Sequence, residues 1–309
     1  MPISPRLKWK LRRYGNSLEE LPGRLRQLFQ GVFLTKQKVC PACRALVSAR
    51  DSRCAFCNES LSTFDRVGVR RLTAGILPEG ATYTILLMGA NFVLFAITLV
   101  AASKIGLGPV ALIRIPPEIL VDLGANYGPL VYRGEYWRLL TGAFLHANLV
   151  HLLFNMWVLF DVGPAVEEMY GQSRFISLYM LASIAGSLAS YWWHFPHTLM
   201  VGASGAIFGL IGVMVGYGYR HRTALAEQIK TMYLRWAIYG LVFGLMMPGV
   251  DNAAHIGGLA AGIACGYVVS DMPPVTRESI LFWRAMNYCC WLALAASLFL
   301  VGLGYGRFS

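Results

Sequence analysis

A window of about 20 apolar residues, the length needed to cross roughly 30 Å of hydrocarbon, fits the chain seven times: 81–103, 149–168, 175–195, 202–219, 233–249, 252–270 and 281–304. The pattern predicts seven membrane-crossing helices and hence an all-α polytopic membrane fold. Two windows are interrupted by polar side chains, His151 and Asn155 in the second and His255 in the sixth. Such groups are costly in hydrocarbon, so they mark where chemistry is to be sought. The stretch between the first two windows, about 104–148, contains Pro116-Pro117, Trp137 and Arg138 and is too long for a plain turn.

Composition agrees with the windows. Of 309 residues, 56% are hydrophobic and 14% charged, and the mean hydropathy is +0.51, which excludes an ordinary soluble domain. The net charge of +11 is unevenly spread: residues 1–80 carry 15 basic and 6 acidic side chains, a net of +9, which leaves +2 for the remaining 229. Charge massed ahead of the first span acts as a topology signal. The links holding Arg174, Arg220, Arg222, Lys230 and Arg277 fall on the same side as this head, whereas the opposite side has few cations apart from Arg114, Arg133 and Arg138. An N-in, C-out orientation is expected of this multi-pass chain. No secretory signal is visible in the first 35 residues; the basic, acid-free stretch Met1–Tyr14 could also be read as an organellar presequence, but Glu19 and Glu20 follow it. Residues 1–35 mix cations with Leu7, Trp9, Leu11, Leu25, Leu28, Phe29 and Phe33, which suits either an amphipathic segment on membrane lipid or a solvated basic tail.

Seven cysteines are present, and four of them, Cys40, Cys43, Cys54 and Cys57, form two C-x2-C pairs ten residues apart. That spacing matches two knuckles closing on one Zn²⁺ in a tetrahedral, structural site over 36–62, joined to the first span by a linker at 63–80. The competing reading is a pair of disulfides or a redox dithiol, which a reducing cytoplasm disfavours. Aromatics are few around this module (Phe56, Phe64), so the case for nucleic acid is weak, and its partner is not indicated. Cys265, Cys289 and Cys290 fall in apolar spans and read as small packing residues.

Within the membrane part, Gly202-Ala203-Ser204-Gly205 opens the fourth span with one hydroxyl among small residues. A lone serine there most often bonds back to its own backbone. The sixth span alters that balance: His255, Gly258 and Gly262 recur on one helical face, and this face can press against Gly205 and Gly209 of the fourth span. The contact would bring Ser204 and His255 within hydrogen-bond reach, as nucleophile and base. His151 and Asn155, four apart on the second span, share a face and can both donate to a developing oxyanion. Helix-knitting is the bland reading of each residue alone. Asp251, four residues before His255, reads as a helix N-cap rather than as a third catalytic member.

These motifs, over residues 81–271, resemble the rhomboid intramembrane serine proteases. The resemblance rests on Gly202-Ala203-Ser204-Gly205, on Ala254-His255 with Gly258, on His151 with Asn155, on Trp137-Arg138, and on the Gly163 to Gly171 segment with Glu167. It implies a six-helix core with a Ser204/His255 dyad, no acidic third member and no cofactor for catalysis. The oxyanion would be held by the Ser204 N–H with His151 and Asn155. Phe208 takes the place of the aromatic that stacks on the base. His146 would have a structural role, and the fifth span, with Trp236, Tyr239 and Phe243, would be where transmembrane protein substrates enter. Residues 272–309 correspond to the additional helix of a six-plus-one variant. The alternative from another class is a catalytically inactive rhomboid-like chaperone or binding protein; a transporter would spread its ionisable residues along several spans.

Overall fold

The computed structural model describes residues 37–40, 46–48, 53–57 and 81–304. The predicted amphipathic segment 1–35, Cys43 and the linker 63–80 lie outside these. The chain divides into two compact units, Met1–Asp65 and Arg66–Ser309. In the first, strands β1 (Gln37–Val39) and β2 (Leu46–Ser48) pair antiparallel with Gln37 opposite Ser48.

Among its described residues, the second unit is built on seven long helices: α1 (Thr82–Lys104), α2 (Leu149–Tyr170), α3 (Gln172–His194), α4 (Ser204–Arg220), α5 (Ala224–Met246), α6 (Asn252–Val268) and α7 (Arg277–Gly304). The chain is thus an all-α polytopic membrane protein. Four of the seven, α1, α2, α3 and α7, are long and apolar enough by themselves to cross a membrane. The other three deviate for identifiable reasons. Helix α5 starts nine residues before the predicted window because Thr223 caps it, accepting from the Ala226 N–H at 3.1 Å, and Glu227 pairs with Lys230 at 2.7 Å across its first turn. A hydropathy window detects the apolar part of a helix and misses a charged first turn. Helices α4 and α6 have only 17 residues each, a rise of about 25 Å. Helix α4 is buried along nearly its whole length, so other helices rather than lipid surround it.

Backbone contact joins α4 to α6. A Cβ placed on Gly258 would run into the carbonyl oxygen of Gly205, one on Gly262 into that of Gly209, and one on Gly266 into that of Val213. Gly258, Gly262 and Gly266, spaced by four on α6, therefore form one line of hydrogen-sized side chains against Gly205, Gly209 and the Val213 carbonyl of α4, the arrangement that lets helices approach closely in lipid. Helix α3 joins the same cluster: Gly186 lies against the Ala254 carbonyl and Gly205.

Helix α1 has no cap of its own, since Ala81 precedes it, but Glu167 of α2 supplies one. Its carboxylate accepts from the backbone N–H of Tyr83 (2.9 Å) and Thr84 (2.8 Å) and from the Thr84 hydroxyl (2.9 Å). One turn earlier, Gly163 leaves room for Thr84, whose Cγ2 would stand 2.6 Å from a Cβ there. Glycine and carboxylate four apart thus grip the start of α1 from one face of α2.

The connection from α1 to α2 holds short helices at Pro117–Asp122, Gly128–Tyr132 and Arg138–Thr141. Arg138, 2% exposed, fastens it: Nε donates to Glu135 at 2.7 Å, Nη1 donates to the carbonyls of Val121 (2.5 Å) and Ala125 (3.2 Å), and the guanidinium lies 4.5 Å over the Trp137 ring. Strand β3 (Asn126–Tyr127) of this connection pairs with β4 (Leu199–Met200), which leads into α4.

Replacing Glu167 with Ala leaves the buried Thr84 N–H and the half-buried Tyr83 N–H without a partner and is expected to lower stability by about 3 kcal/mol. The adjacent exposed Glu168→Ala serves as the control, and thermal unfolding of the purified protein in detergent is the measurement. Gly262→Val forces α4 and α6 apart and is expected to cost about 3 kcal/mol or more in the same assay.

Candidate active site

Ser204 is the first residue of α4, and the residue before it is Ala203, which provides no side-chain cap. The first amides of a helix have no intrahelical partner, and the earliest backbone bond here is from the Ile207 N–H to the Ala203 carbonyl at 3.0 Å. The start of α4 therefore keeps donors available beside the hydroxyl. Ahead of it Gly202 has φ +121°, a conformation that favours glycine, and its N–H donates to the Gly142 carbonyl at 3.0 Å.

His151 and Asn155 face this turn. A Cβ on Gly202 would stand 2.7 Å from His151 Cε1, 2.8 Å from His151 Nε2 and 3.7 Å from Asn155 Nδ2. Asn148 caps α2 by accepting from the His151 N–H at 2.8 Å, and the Asn155 amide donates to the His151 carbonyl at 3.0 Å. His146 packs edge-on against His151, with ring centres 5.0 Å apart.

His255 is buried in the first turn of α6. Phe208 stacks on its ring with centroids 4.2 Å apart and planes within 8°. Gly240 of α5 makes room for that phenyl group, whose Cζ would stand 2.6 Å from a Cβ there. Helices α4 and α6 thus bring Ser204, Gly205, Phe208, His255 and Gly258 to one junction. No hydrogen bond joins Ser204 to His255 among the described residues, so the contact expected from the sequence is not made. The Ser204 side chain is partly exposed at the helix start, and such hydrogen bonds often tighten only around a substrate.

The partner of His255 is a residue that the sequence reading passed over. Asn252 Oδ1 lies 3.2 Å from His255 Nδ1, while Asn252 Nδ2 donates to the Leu241 carbonyl of α5 at 3.2 Å. Its position three before the histidine, on the same helical face, was the available signal. Asp251 caps α6, accepting from the Ala254 N–H at 3.0 Å, and also accepts from the Ser190 hydroxyl; His194 Nδ1 is 3.8 Å from it. Its carboxylate engages the helix end and α3.

In the N-terminal unit, the sulfur atoms of Cys40, Cys54 and Cys57 lie within 4.8 Å of one another, with Cys40 Sγ and Cys57 Sγ 3.5 Å apart. Thiolates around a tetrahedral ion at about 2.3 Å are separated by about 3.8 Å, so the three donors have the spacing of such a site. Cys40 and Cys54 are buried.

Comparison with known proteins bears on the membrane body. The Rhomboid domain family matches residues 133–272, the stretch that holds His151, Asn155, Ser204 and His255. Rhomboid protease GluP of Bacillus subtilis (strain 168) is 43% identical over 145 residues, 47% of this chain and 28% of GluP. Rhomboid-like protease 1 of Toxoplasma gondii is 35% identical over 182 residues, 57% of this chain and 59% of that protein. The YdcA protein of Bacillus subtilis (strain 168), whose name assigns it to the rhomboid proteases, is 33% identical over 147 residues, 48% of this chain and 74% of YdcA. The chain thus spans little more than a quarter of GluP and under two thirds of the Toxoplasma protein.

Proposed function

The chain belongs to the rhomboid family, and on that premise we propose that it is an intramembrane serine endopeptidase cleaving transmembrane-segment substrates, with Ser204 and His255 as the reacting pair. The observation that carries this reading is the junction of α4 and α6, where glycine contacts and the Phe208–His255 stack set an imidazole beside the helix start that bears the hydroxyl. With the Nδ1 proton donated to Asn252 Oδ1, His255 Nε2 carries the lone pair of a general base. Ser204 attacks the peptide carbonyl while His255 takes its proton, and the same proton then passes to the leaving amine. The developing oxyanion is held by the uncapped Ser204 N–H together with His151 and Asn155. Family membership and named protease relatives support the activity.

Substrate entry belongs to the side where α2 meets α5. There Phe154 stacks on Phe243 at 5.6 Å and Trp157 lies 6.4 Å from Trp236, with Tyr239 exposed. The basic N-terminal head lies on the cytoplasmic side of a bacterial plasma membrane in this reading, and the cysteine cluster, with Cys43 as fourth ligand, holds a structural Zn²⁺ that takes no part in catalysis. A second reading, an inactive rhomboid-like binding protein or chaperone, takes its support from the missing Ser204–His255 hydrogen bond.

Purified protein with a test transmembrane substrate separates the two. Wild type is expected to cleave, with Ser204→Ala and His255→Ala reduced to background; equal cleavage by all three would remove the dyad, and no cleavage by wild type would favour the binding protein. Asn252→Ala is expected to lower kcat about tenfold or more through loss of the imidazole's orientation, measured with the same substrate. Reduced full-length protein is expected to hold about one zinc ion per chain by metal analysis, and a Cys40→Ser, Cys54→Ser variant to hold none. Four thiols that react freely in the untreated protein would contradict the metal site.

A further inference from the structure

Helix α7 lies outside the stretch matched by the Rhomboid domain family, and the chemistry above does not use it. Its first half is fixed to the bundle by polar contacts: Asn287 Nδ2 donates to the Tyr83 hydroxyl at 2.9 Å and to the Ser173 hydroxyl at 3.2 Å. Its far end meets a different surface. Val301, 8% exposed, points Cγ2 at Gly124, in the connection between α1 and α2, so that a Cβ on Gly124 would stand 2.9 Å from it. The other sides of that glycine are closed by Thr141 Oγ1 at 2.8 Å and Trp137 Cζ3 at 3.0 Å, and its φ is +101°. Gly124 is held between the tip of α7 and the Trp137–Thr141 turn with no spare volume.

A short bonded path leads from there to the nucleophile. The Gly124 carbonyl accepts from the Thr141 hydroxyl at 2.6 Å. Gly142, the next residue, accepts from the Gly202 N–H at 3.0 Å, and a Cβ on Gly142 would stand 2.8 Å from the Asn126 nitrogen and 3.1 Å from the Met200 oxygen. Asn126 pairs with Met200 in the β3–β4 ladder. The backbone on which Val301 presses is therefore the backbone from which residues 199–202 hang, and these run directly into Ser204. Close-packed interiors transmit displacement rather than absorb it.

We propose that Val301 is a positioning residue, through which the tip of α7 braces the 124–142 connection and thereby sets the turn that presents Ser204. The functional half of this proposal rests on the protease reading; the mechanical half does not. Full-length wild type, Val301→Ala, Val301→Ile and the lipid-facing control Phe299→Ala, whose side chain is 66% exposed, are compared in detergent micelles. Two quantities are measured: deuterium uptake of peptides covering 120–142 and 199–204, and kcat and KM on a transmembrane substrate. The expected result for Val301→Ala is faster uptake in both peptides and a kcat lowered roughly tenfold at unchanged KM. Val301→Ile and Phe299→Ala are expected to behave as wild type. Unchanged uptake at 199–204 overturns the proposal, as does an equal loss of kcat in Val301→Ala and Phe299→Ala, which marks general destabilisation. If uptake responds while Ser204→Ala leaves cleavage intact, the protease reading falls and the mechanical coupling stands.

Discussion

The membrane body depends on the line along which α4 and α6 touch backbone to backbone. In lipid no hydrophobic driving force brings helices together, so association rests on close packing and short-range contacts. Gly205, Gly258, Gly209 and Gly262 supply that closeness, because any Cβ on Gly258 or Gly262 would occupy the space of a facing carbonyl oxygen. Ser204 immediately precedes the first of these glycines and His255 lies three residues before Gly258. The Ser204 hydroxyl and the His255 imidazole therefore sit at one end of this close contact.

Around this seam most long helices start on a polar cap, and two do not: α3, which follows Gly171, and α4. Asn148, Thr223 and Asp251 cap α2, α5 and α6, and Glu167 reaches across from α2 to cap α1. Helix α4 begins after an alanine and has no side-chain cap. An unfilled helix start normally costs stability, and under the proposed function the free donors of α4 have a use against developing negative charge. The same logic separates Asp251 from Asn252: the carboxylate serves the helix end, while the neutral amide orients the imidazole.

Much of this was legible in the chain. Spans with repeated small residues and isolated polar groups announced themselves by period, because buried polar side chains are rare in apolar helices. The Gly258/Gly262 face was readable for the same reason. What sequence spacing could not convey were pairings across long separations. The grip of Glu167 on Thr84, the bond from Gly202 to Gly142 and the contact of Val301 with Gly124 each join residues far apart in sequence, and on at least one side the partner is backbone, which carries no residue-type signature. Helix lengths were distorted as well, since α5 extends through a charged turn that hydropathy excludes.

The 17-residue length of α4 and α6, beside neighbours of 22 and 23 residues, has a consequence for the surrounding lipid. Helix α4 is enclosed by other helices, so the mismatch with lipid falls at α6, and the difference of about 8 Å is met by thinning, tilt or water at the short end. Under the proposed function, bilayer thickness becomes a variable of the reaction: a thicker bilayer sinks the N-terminal ends of α4 and α6 further from bulk water, and a thinner one lifts them toward it. Lipid acyl-chain length then acts on hydration of the proposed Ser204/His255 pair without touching it.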